Sequence, residues 1–189
     1  WTVANGDLLP DARCYRRGAI IRFNEIYGWN GKPNEGMRKE AEDVAQMIRA
    51  KVGTRKIAYI AADPSIWKVD GGPSIAETML RRGVVLRKAD NKRLVGYVQV
   101  RQRIAGDEEG PMLYATKNCH DGFWRTMPDI VMDENHPEDI DDSQEDHCAD
   151  DVRYACMSRP WLSEVRKKAE VKVKDWFREK DTEASWRTV

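Results

Sequence analysis

The sequence predicts an α/β domain, a mixed sheet with helices laid against it, on three observations. Ala19–Tyr27 alternates with a period of two, and Met37–Val52 places apolar residues at helical steps. Lys56–Ala62 is a nearly continuous apolar run, the pattern of a central strand covered on both faces. Stretches of strand and helix period alternate along the chain, as in layered α/β folds, and 189 residues suit one domain of ordinary size.

Taken in order, Trp1–Asn5 reads as a short strand entering a turn at Gly6-Asp7, paired in antiparallel fashion with the strand Ala19–Tyr27. Gly28–Gly36, with Pro33 and two asparagines, is a loop. The helix Met37–Val52 carries Met37, Ala41, Val44, Ile48 and Val52 on one face and stops at Gly53. The strand Lys56–Ala62 ends at Asp63-Pro64, which puts a carboxylate at the carboxyl end of a strand, where open α/β sheets tend to place their chemistry. Beyond Gly71-Gly72-Pro73, Ser74 and Glu77 have the form of a capping box for a helix through Arg82, closed by Gly83. A short strand follows at Val84–Leu86, then a polar helix over Asn91–Ile104, a turn at Asp107–Gly110, and a buried strand at Met112–Thr116. Cys119-His120 opens a short helical segment through Met127. The acidic stretch from Pro128 to Asp142 is too polar to pack a core and reads as a loop. A helix begins near Glu145 and runs to about Met157, ended by Arg159-Pro160, and a charged helical tail occupies Trp161–Lys180. The chain divides into a domain over 1–160 and a tail over 161–189.

A net charge of zero conceals segregation. Ten acidic residues and no Lys or Arg lie between Asp133 and Asp151, which leaves 22 acidic against 32 basic residues elsewhere, a balance of about +10. That sign favours a polyanionic partner, and Lys88, Lys92, Arg93, Arg101 and Arg103 are candidate phosphate contacts, although such charges are as often a solvated face. At the helix start Asp146 stands four residues and His147 three residues before Asp150, so all three crowd toward one face, with Ala149, Val152 and Cys156 as the anchoring stripe. Clustered carboxylates repel, so a fold that gathers them normally does so around a cation. With Asp63 facing them, Asp146 and Asp150 would ligate divalent ions, the requirement of phosphodiester hydrolysis by a metal-activated water.

Other chemistries fit less well. The Gly71-Gly72 pair lacks the spacing and the lysine of a phosphate loop. Cys119, His120, His147 and Cys148 have the residue types of a zinc site, but as two pairs of immediate neighbours whose members tend to point apart, and Cys119 beside His120 has no orienting third group. Cys148 and Cys156 read as buried free thiols. With no CxxC pair, signal peptide or apolar run of membrane-spanning length, the plain expectation is a reduced, soluble protein.

The segments ADPSIW (62–67), GGPSIAETMLRRGV (71–84), ADNKRLVGYVQVRQRI (89–104), PMLYATKNC (111–119) and EDHCADDVRYACMSRP (145–160), in that order, resemble the carboxyl-terminal nuclease domain of the large terminase subunit of tailed phages. The resemblance covers nearly the whole chain up to Pro160. It implies a ribonuclease H-like mixed sheet flanked by helices, similar to Holliday-junction resolvases. It also implies an endonuclease that cuts concatemeric double-stranded DNA with two Mg or Mn ions during packaging. Small terminase subunit and portal protein would be partners, and the host cytoplasm the place of action. Asp63 matches the family's second acid. Asp146, His147 and Asp150 fall in its third motif, where His147 departs from the usual aspartate and would serve as an accessory. The family's first acid lies on a strand upstream of the segment resembling WTVANGD, so a strand and a ligand are expected to be missing, with weak or no cleavage unless Asp7 or Glu25 substitutes. Two alternatives stand beside this: a catalytically silent docking module that uses the tail, and a resolvase-like nuclease acting on branched DNA.

Overall fold

The computed structural model describes residues 1–6 and 15–162. Asp7, Cys14 and all but the first two residues of the expected tail helix lie outside them. The elements in chain order are β1 (Thr2–Val3), β2 (Ile20–Arg22), α1 (Ala41–Val52), β3 (Ala61–Ala62), α2 (Ile75–Arg81), β4 (Arg87–Lys88), α3 (Arg93–Ala105), β5 (Leu113–Ala115) and α4 (His147–Ser158). Short 3-10 turns at Pro64–Trp67 and Met127–Asp129 and a π turn at His120–Trp124 complete them.

The fold is mixed α/β with two small sheets in place of the single expected one. In the first, β2 is central, antiparallel to β1 with Thr2 opposite Ile21, and parallel to β5 with Ile20 opposite Leu113. In the second, β3 lies parallel to β4, Ala61 opposite Arg87. The run Lys56–Ala62 is therefore not a central strand. Only its last two residues pair, and Ile57 is 47% exposed, because β4 offers it two residues of partner and no strand among the described residues flanks its other side. The strand expected at Val84–Leu86 pairs at Arg87–Lys88 instead, after Val84 has turned into the core.

The helices follow their local signals. α1 starts later than its apolar pattern, since Asn34 and Arg38 take positive φ ahead of it, and it stops at Gly53, whose φ of 58° places it in the left-handed region. The capping box of α2 is fully formed: Glu77 N–H donates to Ser74 Oγ at 3.2 Å, and Ser74 N–H to Glu77 Oε2 at 2.8 Å. α1, α2 and the second sheet enclose a small core of Ala45, Met79 and Val84 with Val44, Ile48, Ile60 and Leu86 packed on it.

The larger core lies between the first sheet and the α3/α4 pair. Ile20 and Leu113 from the sheet meet Tyr97 and Val100 of α3 and Cys148, Ala149, Val152 and Cys156 of α4. The α4 stripe expected from sequence is thus the buried one. α3 is less polar than its composition suggests, because Gly96, Tyr97, Gln99, Val100 and Arg103 are all buried. Arg103, 2% exposed, donates from Nη1 to Gly18 O at 3.2 Å and Met112 O at 3.1 Å, and from Nη2 to Arg159 O. It is a structural staple, which corrects its expected role as a phosphate contact. The acidic loop also differs from expectation: Ile140 is 3% exposed and joins the core, with Met132 and Ile140 bridged across the loop.

α3 crosses α4 at Gly96. A Cβ there would come within 2.4 Å of Arg153 Cγ and 2.8 Å of its Cδ, so the missing side chain makes room for the buried arginine stem. Gly96→Ala is expected to destabilise by about 1–3 kcal/mol through overpacking, against roughly 0.5–1 kcal/mol gained in helix propensity. Urea denaturation checks this, and an unchanged or higher stability would show that the Arg153 stem moves aside freely.

Candidate functional site

The acids singled out from sequence are placed by β3 and the first turns of α4. Asp63 follows β3 and caps the next 3-10 turn, its Oδ1 accepting Ser65 N–H at 2.7 Å. Its Oδ2 accepts the hydroxyl of Tyr154 on α4. The strand end thus abuts the helix. Ser65 and then Tyr154, by hydrogen bonding, hold the Asp63 carboxyl below its ordinary value, while burial and Asp63 push the Tyr154 phenol up to about 12.

Asp150 lies one turn before Tyr154. Its Oδ1 accepts three donors, Tyr97 O–H at 2.9 Å and Arg153 Nε and Nη2 at 3.0 and 2.9 Å. Arg153 is 3% exposed; its guanidinium lies 4.3 Å from the Tyr154 ring centre and 5.6 Å from that of Tyr97. Its Nη1 is buried with no hydrogen-bond partner. Asp146 occupies the N-cap position of α4 without using its side chain to cap, and its nearest ionic neighbour is His147 Nδ1 at 3.6 Å. Burial first, then the Asp150 charge, raise the Asp146 carboxyl above its ordinary value.

His147 is 71% exposed and turns toward a second cleft on the other flank of α4. That cleft, of about 540 Å³, is lined by Trp1, Glu25, Tyr27, Glu145 and Asp151 among others. Its carboxylates are also partnered. Glu25 accepts Arg22 Nε at 3.1 Å and the backbone N–H groups of Gly122 and Phe123 at 2.8 and 3.2 Å. Glu145 binds Arg125 Nη1 and Nη2 at 2.8 and 2.6 Å, and Asp151 pairs with Arg22.

The structure therefore brings Asp63 to the helix that carries Asp146 and Asp150, but through tyrosine and arginine. Among the described residues no group of three or more His, Cys, Asp or Glu side chains is arranged to hold a metal ion. As folded, the expected cage for two Mg or Mn ions is not assembled, and the donor set does not fit them. The cause is local: Ser65 and Tyr154 occupy the two oxygens of Asp63, and Arg153 with Tyr97 occupies Oδ1 of Asp150. The zinc alternative fails for the reason its spacing gave. Cys119 is buried with Sγ donating to Arg22 O at 3.3 Å, while His120 is exposed. Cys148 and Cys156 are buried free thiols, raised to about 12 by burial.

Of the candidate phosphate contacts, Lys92 is exposed beside Asp90 at 3.6 Å, and Lys88 lies 5.8 Å from the Trp67 ring centre. Arg93 and Arg101 are engaged by the acidic loop: Arg93 Nε donates to Asp139 at 2.7 Å and its Nη2 to Asp142, and Arg101 Nη1 to Glu138 O at 3.0 Å. Tyr97, Arg153 and Tyr154 went unnoticed in the sequence. The three-residue step from Asp150 to Arg153 was the one signal for them.

No family model matches the chain, and neither a curated protein nor a solved structure matches it.

A carboxylate whose folded pKa is raised destabilises the fold above that pKa, and stability returns as pH falls through it. Asp146→Asn is accordingly expected to raise the melting temperature at neutral pH and to lose that advantage below the ordinary carboxylate range. Melts across pH check this, and an unaltered melting temperature at neutral pH would show that Asp146 has found a counter-charge.

Proposed function

We propose that the chain is the nuclease domain of a viral DNA-packaging terminase large subunit, ribonuclease H-like in fold, that cleaves concatemeric double-stranded DNA with divalent ions. Asp63, Asp146 and Asp150 are its acids and His147 an accessory. The observation that carries the reading is the meeting of Asp63, at the carboxyl end of a parallel strand, with α4 one turn beyond Asp150, two positions far apart in sequence. The ordered segments that resemble the terminase domain support it, as does the basic balance of the chain outside 133–151. Exposed Lys88 and Lys92 supply phosphate contacts as they stand, while Arg93 and Arg101 do so only when the acidic loop lets them go. No helix among the described residues is long and apolar enough to cross a membrane. The partners that suit the reading are duplex DNA, small terminase subunit and portal protein, in the host cytoplasm.

A second reading, a docking module without catalysis, is favoured by the protein donors already on both oxygens of Asp63 and on Oδ1 of Asp150. A plasmid-nicking assay with Mg or Mn decides between them. The nuclease reading expects ion-dependent cleavage that Asp63→Ala and Asp150→Ala each reduce by at least tenfold. Cleavage by either variant at the parent rate would remove these acids from the site, and absence of cleavage by the parent with either ion would favour the docking module. A preference for four-way junctions over linear duplex would point to a resolvase-like enzyme.

The acidic loop gives a separate expectation. Asp139→Asn with Asp142→Asn releases Arg93, so duplex affinity at low salt should rise severalfold and depend more steeply on salt, as followed by fluorescence anisotropy. An unchanged salt slope would show that α3 does not meet the phosphates.

A further inference from the structure

The smaller core leaves a groove of about 680 Å³ between the end of α1 and the approach to β3. Ile48, Ile57, Ile60 and Val85 line it, with Ile57 47% and Val85 70% exposed. Exposed apolar residues scattered singly need no explanation, but these gather in one depression. No acidic residue lines the groove, and its rim carries Arg49 and Arg55. Both give hydrogen bonds to backbone carbonyls: Arg49 Nη1 to Arg82 O at 3.4 Å, and Arg55 Nη1 to Lys51 O and Val52 O at 2.8 and 3.2 Å. Among the described residues neither pairs with a carboxylate, whereas Arg16, Arg22, Arg93, Arg125 and Arg153 each do. An apolar floor under an unneutralised basic rim fits an acidic segment with apolar residues at its centre.

The chain itself carries such a segment. In the acidic loop Val131 is 60% and Met132 39% exposed, beside the exposed Glu134 and Glu138, whose carboxylates pair with no cation among the described residues. The loop is held in shape before any partner arrives: Met132 bridges Ile140, Asp133 N–H donates to Asp139 O at 3.2 Å, and Arg93 and the buried Ile140 anchor it on the larger core. Little ordering cost is left to oppose docking. None of the loop's residues lines the groove of its own molecule. We propose that the groove takes the acidic loop of a second copy of this chain, Val131 and Met132 on the apolar floor and Glu134 and Glu138 against Arg49 and Arg55. A projection on one molecule that fills a groove on the next makes a head-to-tail contact, which continues from copy to copy. The net charge of zero lets copies approach without mutual repulsion, and the segregation of its two signs orients them. The contact is independent of whether the chain cuts DNA.

Sedimentation velocity of the full chain at low salt tests this. The mean mass of the parent should rise with concentration, and salt raised from about 0.05 to 0.5 M should weaken the association at least about tenfold, since the rim pairs are exposed and screened. Arg49→Glu with Arg55→Glu should be monomeric, and so should Glu134→Lys with Glu138→Lys. Mixed, the two double variants should associate again, because each altered face finds its complement on the other protein. A parent that stays monomeric, a double variant that associates as the parent does, or a mixture that stays monomeric would each overturn the proposal. Should a charge-reversed protein fail to fold, Val85→Asp, at a position 70% exposed, places an acid in the groove and should abolish association equally; association at the parent's strength would again overturn it. A labelled short duplex, followed by fluorescence anisotropy, covers the other occupant of a basic groove. A monomeric parent that binds the duplex, with binding lost severalfold in Arg49→Glu with Arg55→Glu, would assign the groove to nucleic acid and overturn the docking of a second copy.

Discussion

A buried arginine between two helices sets the terms for the rest of this molecule. Arg153 is 3% exposed, and the two hydrogen bonds it gives Asp150, which keeps some access to water, offset the cost of burying its charge. Their pairing fixes the approach of α3 to α4, and Gly96 is the concession that makes the approach short enough. Tyr97 and Tyr154 then close the network on either side, and through Tyr154 it reaches the end of β3. The small second sheet is thereby tied by Asp63 to the helix that the larger core carries, so the two cores of the chain meet at a polar joint.

That joint explains the character of the acidic region. Ten acids in nineteen consecutive residues could form a field of unshielded charge. Five of the ten instead pair with arginine: Asp139 and Asp142 with Arg93, Glu145 with Arg125, Asp151 with Arg22, Asp150 with Arg153. Among the described residues Asp146 pairs with no arginine, only with His147 at 3.6 Å, and burial and then the Asp150 charge raise its carboxyl. The basic excess of the rest of the chain is in this sense partly spoken for by its own acidic stretch, and Ile140 holds that stretch down by burying in the core.

Local signals were legible where they were self-contained. The capping box at Ser74, the stop at Gly53, the antiparallel start of the chain and the buried stripe of α4 each depend on residues a few positions apart, and each formed. Lys56–Ala62 misled because an apolar run states only that water is unfavourable, and the number of strands beside it is a tertiary fact that no window of sequence contains. The Arg and Lys of α3 misled in the same way. Arg103 looks like a surface charge until three carbonyls from distant segments turn out to need a donor. At the site, the acids were legible as acids and the meeting of Asp63 with α4 as an expectation. Tyr97, Arg153 and Tyr154 were not, since an aromatic or arginine on a helix gives no sign of which carboxylate it will satisfy.

The Arg103 staple also fixes the geometry of departure from the domain. It binds Arg159 at the end of α4, and two residues further on Trp161 N–H donates to Gln99 Oε1 at 2.7 Å, so the chain leaves α4 along the flank of α3 in a set direction. α4 has 12 residues, which at 1.5 Å each makes it about 18 Å long. Whatever follows Leu162 is therefore launched from the far end of the same rod whose near end bears the acids.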